Sequence, residues 1–179
     1  FLIVRHPVDR ILSAYKDKVL TVGVSRIPSL VAYIMDYYGI KDEDPKTFNV
    51  TFSQFVDWLI NAKVDNPHWR SYNKTCIPCQ FDYTYIGHVE TLNIDFYYII
   101  KELYNPKAAE DWRNHQPHLN RNQMNKLDSA PTVSSYYKQL TKDQLRQLNE
   151  LVADDITMFG YSPITIDENQ QELNVTRKP

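Results

Sequence analysis

The sequence predicts an α/β fold in which helices cover a parallel sheet in three layers. The apolar run FLIV at residues 1–4 is typical of a strand covered on both faces, and helical periodicity follows it directly. The same order recurs where an apolar, aromatic run at residues 83–86 precedes helical periodicity over residues 91–104. Strands that alternate with helices favour parallel pairing, because each helix carries the chain back to the start of the next strand.

The first helix is predicted to begin at Pro7, since proline suits the first turn of a helix. Apolar residues at helical spacing form one stripe, which consists of Val8, Ile11, Leu12, Tyr15 and Val19. The polar residues Arg10, Ser13 and Asp17 fall on another face of this helix. A strand therefore leads through a tight turn into an amphipathic helix.

Two further helix starts carry a capping box, a pattern in which two side chains satisfy free backbone N–H groups reciprocally. Thr51 pairs with Gln54 in the first box, and Thr141 pairs with Gln144 in the second. Helical spacing over residues 29–38 predicts one more helix.

The ends of these elements are predicted from glycine and from loss of periodicity. Gly39 ends the helix at residues 29–38, and Gly87 ends the strand at residues 83–86. The last helix is predicted to close near residues 159–160, and residues 105–135 are predicted to form a long loop. The helix at residues 91–104 is expected to bury the apolar stripe Leu92, Phe96, Ile99, Ile100 and Leu103.

Composition excludes several classes of protein. With 42% hydrophobic residues, 23% charged residues and only 4 glycines, the chain is neither collagen-like, coiled-coil nor disordered. No apolar run reaches the roughly 18 residues that a membrane span needs. Because the chain begins with Phe1 inside a predicted strand, we expect it to be a fragment of a longer protein.

Charge is distributed unevenly along the chain. Residues 1–142 carry 17 Lys+Arg against 15 Asp+Glu, whereas residues 143–179 carry 3 against 7. We therefore expect any anion site in the first part, and we predict no nucleic-acid partner.

The segment FLIVRHPVDRILSAY combines the features of an anion site. Arg5 follows a predicted strand at the end where α/β folds bind ligands, and Ser13 lies one helical turn after Arg10. A guanidinium and a hydroxyl together suit a phosphate group. The structural alternative is that Arg5 and Arg10 form ion pairs with Asp9 and Asp17, and that Ser13 is an ordinary helix residue.

Three ordered blocks of the sequence resemble one family. The pattern R-x-P-x-x-R-x-x-S-x-Y from Arg5 to Tyr15 resembles the 3′-phosphate motif of sulfotransferases that use 3′-phosphoadenosine 5′-phosphosulfate (PAPS). NPHWRSYNKTCIPCQFDYTYIGHVETL at residues 66–92 is similar to a block of the Golgi carbohydrate sulfotransferases, which include the chondroitin and dermatan N-acetylgalactosamine 4-O-sulfotransferases. YYKQLTKDQLRQLNELVADDITMFGY at residues 136–161 is similar to the closing helix of that family.

The resemblance implies a P-loop-like sulfotransferase fold, with residues 1–162 as a partial catalytic domain and residues 163–179 as a C-terminal tail. It implies PAPS as the co-substrate, a glycan acceptor such as chondroitin or dermatan, and no metal. It places the parent in the Golgi lumen as a type II membrane protein whose anchor lies outside this chain. The residues implied to bind PAPS are Arg5 and Ser13, with Arg10, Arg121, Ser134 and Ser135 as further candidates.

One part of the family pattern is missing from this sequence. Members carry an upstream basic loop that grips the 5′-phosphosulfate, and no G-x-x-x-x-G-K or comparable loop occurs in these 179 residues. The N-terminal phosphosulfate-loop part is therefore expected to be absent, and the chain alone is expected to be inactive.

The general base has several histidine candidates. His68, in the H-W of the second block, is the first to test, and the alternatives are His88, His115 and His118. His68 has a structural alternative, in which it hydrogen-bonds the surrounding loop. Glu90 is expected to be a carboxylate at a helix start rather than a base.

Cys76 and Cys79 form a C-x-x-C pattern, for which a redox site, a zinc site and a structural disulfide are all conceivable. A strand-like segment follows the motif where a redox site needs a helix, and the implied lumen is oxidising, so a disulfide between the two is favoured. Asn49, Asn73 and Asn174 each begin an N-x-Thr glycosylation sequon.

Two functions are compatible with the sequence. The first is a PAPS-dependent carbohydrate sulfotransferase. The second is a non-catalytic glycan-binding or nucleotide-binding relative that retains only the 3′-phosphate half-site. A basic phosphosulfate loop upstream of Phe1 would favour the enzyme.

Overall fold

The computed structural model describes residues 1–20, 25–115, 133–166 and 173–174. The chain divides into two units. The first unit comprises Phe1–Arg5 and Cys76–Pro131, and the second comprises His6–Thr75 and Thr132–Pro179.

The described strands are β1 (Leu2–Val4), β2 (Ile86–His88), β3 (Thr165–Ile166) and β4 (Leu173–Asn174). The α-helices are α1 (Pro7–Ala14), α2 (Pro28–Tyr37), α3 (Phe52–Ala62), α4 (Tyr72–Thr75), α5 (Leu92–Leu103), α6 (Pro106–Asn114), α7 (Val133–Tyr137), α8 (Lys142–Leu151) and α9 (Ala153–Met158). A π-helical segment spans Tyr15–Leu20, and a 3₁₀ turn spans Val89–Thr91.

In the first unit, β1 and β2 pair in parallel, with Leu2 opposite Ile86 and Val4 opposite His88. The predicted parallel pairing is confirmed, but the predicted bounds of the second strand are wrong, because β2 begins where the predicted strand ends. Gly87 lies inside β2 rather than at its exit. A Cβ on Gly87 would lie 2.8 Å from Ile3 Cδ1 of β1 and 3.2 Å from Asp95 Cβ of α5, so Gly87 lies where α5 packs closely against the sheet.

Two expectations for the first unit's helices are corrected. Of the five residues predicted to be buried in α5, Ile99 alone is buried, and Leu103 is 50% exposed. Residues 106–114, predicted as loop, form α6, because Asn105 caps the helix by accepting a hydrogen bond from Ala108 N at 2.8 Å. The Asn105-Pro106 pair ends one helix and also begins the next.

In the second unit, the predicted stripe of the first helix is confirmed. Val8, Ile11, Leu12, Tyr15 and Val19 are all at most 3% exposed. The helix is α-helical only as far as Ala14, and the π-helical segment follows it. The wider turn begins at Tyr15, two residues after Ser13, and such segments are common at functional sites.

Both predicted capping boxes are present. In the first, Gln54 N donates to Thr51 Oγ1 at 3.2 Å and Thr51 N donates to Gln54 Oε1 at 2.9 Å. The second box, at Thr141 and Gln144, has the same pattern. The closing helix is interrupted at Val152, so that α8 and α9 replace the one helix that was predicted.

The described residues contain two two-stranded sheets, the parallel pair β1–β2 and the antiparallel pair β3–β4. The fold is therefore mixed α and β with a small parallel sheet, and the three-layer arrangement stays a prediction. Among the described residues, no helix combines the length and apolarity that a bilayer crossing needs.

Candidate functional site

The residues of the predicted phosphate motif follow β1 and continue through α1. Arg5 is half-buried and directly follows β1 in the first unit. Ser13 is half-buried on α1 in the second unit. No described residue forms a side-chain hydrogen bond with Ser13, so its hydroxyl is available to a ligand.

The Arg10 side chain is held by groups of the second unit. Its guanidinium carbon lies 4.1 Å from the centre of the Tyr72 ring, and Nη2 donates to the Arg70 carbonyl. Nη2 also lies 3.8 Å from Asp155 Oδ2. Arg10 is therefore placed against the H-W block and the closing block, and its role as a PAPS ligand stays a prediction.

Arg10 does not pair with Asp9 or Asp17, the partners considered from the sequence, but with Asp155. Asp9 instead accepts a hydrogen bond from the Tyr137 hydroxyl at 3.0 Å. Asp17 lies 2.8 Å from Lys18 Nζ.

Asp155 is a buried carboxylate that sequence reasoning left without a role. It is 1% exposed and accepts hydrogen bonds from Ser71 Oγ at 2.7 Å and from Tyr72 N at 3.0 Å. A charge this enclosed is stable only when it is paired and hydrogen-bonded. The available signal was its position, since Asp155 falls on the apolar stripe between Val152 and Phe159.

Further contacts within the second unit join those parts of the three family-like blocks that belong to it. Tyr72 of the H-W block packs edge-on against Phe159 of the closing block, with ring centres 5.3 Å apart. At the start of α1, His6 Nε2 lies 2.9 Å from the Ser162 carbonyl oxygen, and the His6 ring lies 4.9 Å from that of Tyr161. The closing block therefore contacts the start of α1 through Tyr161 and the H-W block through Phe159.

His68, the first candidate base, has an exposed side chain. Its backbone N donates to Asn66 Oδ1 at 2.9 Å, and the neighbouring Trp69 is buried and donates from Nε1 to the Val64 carbonyl. The indole therefore anchors the segment and leaves the imidazole at the surface. Its role as base stays a prediction.

The other histidine candidates belong to the first unit. His88 is buried at the end of β2, where its backbone N donates to Asp95 Oδ2 at 2.7 Å. His115 is exposed and follows α6. His118 lies outside the described residues, and Glu90 lies in the 3₁₀ turn before α5, as expected of a helix-start carboxylate.

Ser134 and Ser135 lie on α7, part of which had been predicted as loop, and both are half-buried. Arg121 lies outside the described residues. The segment that carries the two serines is tied to the first turn of α1 through Tyr137 and Asp9.

Two tyrosines near α1, Tyr15 and Tyr136, are buried. Burial, and to a smaller extent the nearby Tyr136, raises the pKa of Tyr15 above its ordinary value. Burial likewise raises the pKa of Tyr136. Both phenols are therefore protonated at neutral pH, and the Tyr15 hydroxyl donates to the Val50 carbonyl at 2.7 Å.

A groove of about 360 Å³ lies beside the H-W segment in the second unit. Three basic side chains line it, those of Lys63, Arg70 and Lys74. Arg70 Nε donates to Asp65 Oδ1 at 2.7 Å. Lys63 and Lys74 form no ion pair with any residue that the structure describes. Asp65 and Asp154 line the groove as well, so three cationic and two anionic side chains border it. The small excess of positive charge suits a negatively charged chain.

The cysteines and sequons are placed as follows. Cys76 is half-buried and Cys79 exposed, and both are free thiols, so the predicted disulfide is not formed in this structure. The intervening Ile77 adopts a left-handed φ of 46°. Asn49 and Asn73 are exposed, whereas Asn174 lies in β4. Glycosylation of the three stays a prediction.

Within the described ranges, no group of three or more His, Cys, Asp or Glu side chains is arranged to hold a metal ion. A zinc site at Cys76 and Cys79 would need further ligands. The expectation of a metal-free reaction stays a prediction.

Comparison with known proteins identifies a matching family and several relatives of this chain. A model of the sulfotransferase family matches residues 1–162. Carbohydrate sulfotransferase 9 of Homo sapiens is 26% identical over 165 residues, covering 89% of this chain and 36% of the human protein. Carbohydrate sulfotransferase 10 of Rattus norvegicus is 30% identical over 174 residues, covering 90% of this chain and 46% of the rat protein.

Carbohydrate sulfotransferase 10 of Xenopus laevis is 28% identical over 179 residues, which is 92% of this chain and 48% of the frog protein. The chain thus spans less than half the length of these relatives. No solved structure gives a significant match.

Proposed function

Because this chain belongs to the sulfotransferase family, we propose that the protein transfers a sulfuryl group from PAPS to a hydroxyl of a carbohydrate. The observation that carries the proposal is the grouping of the family-like blocks around α1, where Arg10 contacts Arg70, Tyr72 and Asp155. These contacts fix the helix that carries Ser13, the hydroxyl assigned to the nucleotide.

Arg5 and Ser13 bind the 3′-phosphate of PAPS in this proposal. A guanidinium supplies a charged, fork-shaped donor and a hydroxyl supplies a neutral one, a combination suited to phosphate oxygens. The availability of the Ser13 hydroxyl among the described residues supports its part. Arg5 is supported by its place directly after β1.

The reaction is a displacement at sulfur. An oxygen of the acceptor hydroxyl forms the new S–O bond, the bond to the phosphate oxygen breaks, and 3′-phosphoadenosine 5′-phosphate (PAP) leaves. The hydroxyl proton passes to a general base, for which His68 is the candidate. By analogy with phosphoryl transfer, positioning and charge stabilisation supply most of the acceleration.

The acceptor is a glycan, and chondroitin or dermatan is the proposed class. The names of the relatives support a carbohydrate acceptor. The groove beside the H-W segment is the proposed acceptor site, because Lys63 and Lys74 suit the carboxylates of such a chain. Luminal residence in the Golgi as a type II membrane protein belongs to the same proposal.

The test is transfer by the full-length protein. Radiolabelled PAPS is incubated with desulfated chondroitin or dermatan, and heat-inactivated protein serves as the control. Label in the glycan is the expected result. PAP binding without transfer to any glycan would identify the non-catalytic relative instead, and failure to bind PAP would refute both functions.

A further inference from the structure

We propose that Asp155 is a positioning residue for the nucleotide site. Asp155 holds Arg10 and thereby fixes the helix that presents Ser13. The inference rests on the proposed function, since it takes Ser13 as a ligand of the 3′-phosphate. Asp155 itself is assigned no contact with the nucleotide, with the acceptor or with the reacting atoms.

The first step of the argument is that the Asp155 carboxylate is a fixed point. It is 1% exposed, and Tyr72 N lies 3.0 Å from each of its two oxygens. Ser71 Oγ donates to Oδ1 at 2.7 Å. A buried carboxylate held by the Ser71 hydroxyl and by a Tyr72 N–H shared between its two oxygens has lost its hydration, and it can neither rotate nor withdraw without leaving these donors unpaired.

The second step is that Arg10 connects this fixed point to α1. Its guanidinium contacts the Asp155 carboxylate, the Arg70 carbonyl and the Tyr72 ring. These three partners approach from different directions and hold the planar group in one orientation. Since Ser13 lies one turn further along the same helix, holding Arg10 sets the rotation and axial position of Ser13.

The competing explanation is that Arg10 binds phosphate directly, as the sequence alone suggested. The two explanations predict opposite signs for one substitution. If Arg10 were a phosphate ligand, Asp155 would compete for its charge, and neutralising Asp155 would tighten PAP binding. If Asp155 positions α1 through Arg10, neutralising it loosens PAP binding.

The experiment is calorimetric titration of the full-length protein with PAP, using Asp155→Asn. The matched control is Asp154→Asn, which removes the same charge from the neighbouring exposed carboxylate. We expect Asp155→Asn to weaken PAP binding about tenfold, because small displacements of a ligand group are costly. The control should keep the wild-type affinity. If Asp155→Asn binds PAP as tightly as the control or more tightly, the inference is overturned.

A second variant separates positioning from loss of folding. Circular dichroism and thermal unfolding establish that each variant is folded at the titration temperature. If Asp155→Asn does not fold, Ser71→Ala decides, since it removes the hydrogen bond to Asp155 Oδ1 and leaves Arg10 intact. Positioning predicts PAP affinity lowered a few-fold with the glycan KM unchanged, and wild-type PAP affinity in folded Ser71→Ala would refute it.

The two proposals fail in distinguishable ways. Wild-type protein that does not bind PAP refutes the proposed function. Wild-type protein that binds PAP, together with a folded Asp155→Asn of equal affinity, refutes the positioning role alone.

Discussion

The Tyr137 hydroxyl donates a hydrogen bond of 3.0 Å to the carboxylate of Asp9. Tyr137 is fully buried on α7, and Asp9 lies in the first turn of α1. On the adjacent position of the same helix, Arg10 contacts Asp155. Neighbouring charges of α1 therefore hold two segments that are distant in sequence, the closing helix α9 and the helix that carries Ser134 and Ser135.

The bond between Tyr137 and Asp9 leads to the first prediction. Tyr137→Phe removes the donor and should lower the free energy of unfolding by about 1.5–3 kcal/mol, as for a hydrogen bond to a charged group. Urea denaturation measures the change. The control is Tyr136→Phe at the preceding position. The Tyr136 ring contacts Tyr15 and Phe52, and the structure assigns its hydroxyl no hydrogen bond with a described residue. Equal effects of the two substitutions would contradict the importance of this bond.

The second prediction concerns the phosphate ligands. Arg5→Ala and Ser13→Ala in the full-length protein should each weaken PAP binding by about tenfold or more, since a charge-assisted contact contributes about 1.5–3 kcal/mol. Calorimetric titration measures the affinity, and thermal unfolding should change little. Arg146→Ala and Ser29→Ala are the controls, because both residues are exposed. Unchanged PAP affinity in both test variants would refute the assignment of Arg5 and Ser13 as ligands of the 3′-phosphate.

A third prediction concerns the acceptor groove. Lys63→Gln and Lys74→Gln should raise the KM for an anionic glycan a few-fold, since exposed charge pairs contribute about 0.2–1 kcal/mol. The KM for PAPS should not change, and added salt should reduce the difference from wild type. Lys101→Gln on α5 is the control, because Lys101 is exposed and lies outside the groove. A change confined to the KM for PAPS would place the two lysines at the PAPS-binding site instead.

The fourth prediction concerns Cys76 and Cys79, which are free thiols in the structure. In protein secreted through an oxidising compartment we expect the two to be linked to each other. Peptide mass mapping without reduction should show one linked peptide, and the same digest after reduction serves as the reference. Two free thiols, or stoichiometric zinc, would show that the expected bond does not form.

Local signals explain which parts of the fold the sequence predicted correctly. A capping box depends on two residues three positions apart, so Thr51 and Thr141 marked their helices reliably. The strand β2 was misplaced because its bounds depend on its partner β1 and on the close packing of α5 at Gly87.

The site was harder to predict than the helices, because its contacts join distant segments. The Ser71–Asp155 hydrogen bond spans 84 positions of the chain, and no spacing rule connects such residues. Arg10 illustrates the consequence, since local spacing offered Asp9 or Asp17 as partners and the folded chain supplies Asp155. The motif identified the helix that matters, and the fold determined what holds it.

The last prediction is a pH dependence that arises from Tyr15, the tyrosine of the R-x-P-x-x-R-x-x-S-x-Y pattern. Burial, followed by the nearby Tyr136, raises its pKa in the folded protein, and Arg26 opposes this less strongly. The unfolded chain has the ordinary tyrosine pKa of about 10. A raised folded pKa means that stabilisation by the protonated phenol is complete below pH about 10 and is lost as the pH rises towards the folded pKa.

The free energy of unfolding should therefore fall as the pH rises above about 10, and urea denaturation across this range measures the slope. Tyr15→Phe cannot ionise and loses the hydrogen bond to the Val50 carbonyl, so it should be less stable than wild type at neutral pH and decline less steeply in alkali. Tyr33→Phe, at a tyrosine that is 68% exposed, should keep the wild-type slope. Parallel slopes for Tyr15→Phe and wild type would mean that another group causes the alkaline loss. The contribution of Tyr15 would then rest on its hydrogen bond to the Val50 carbonyl and on packing against Phe52 and Phe55, rather than on its ionisation.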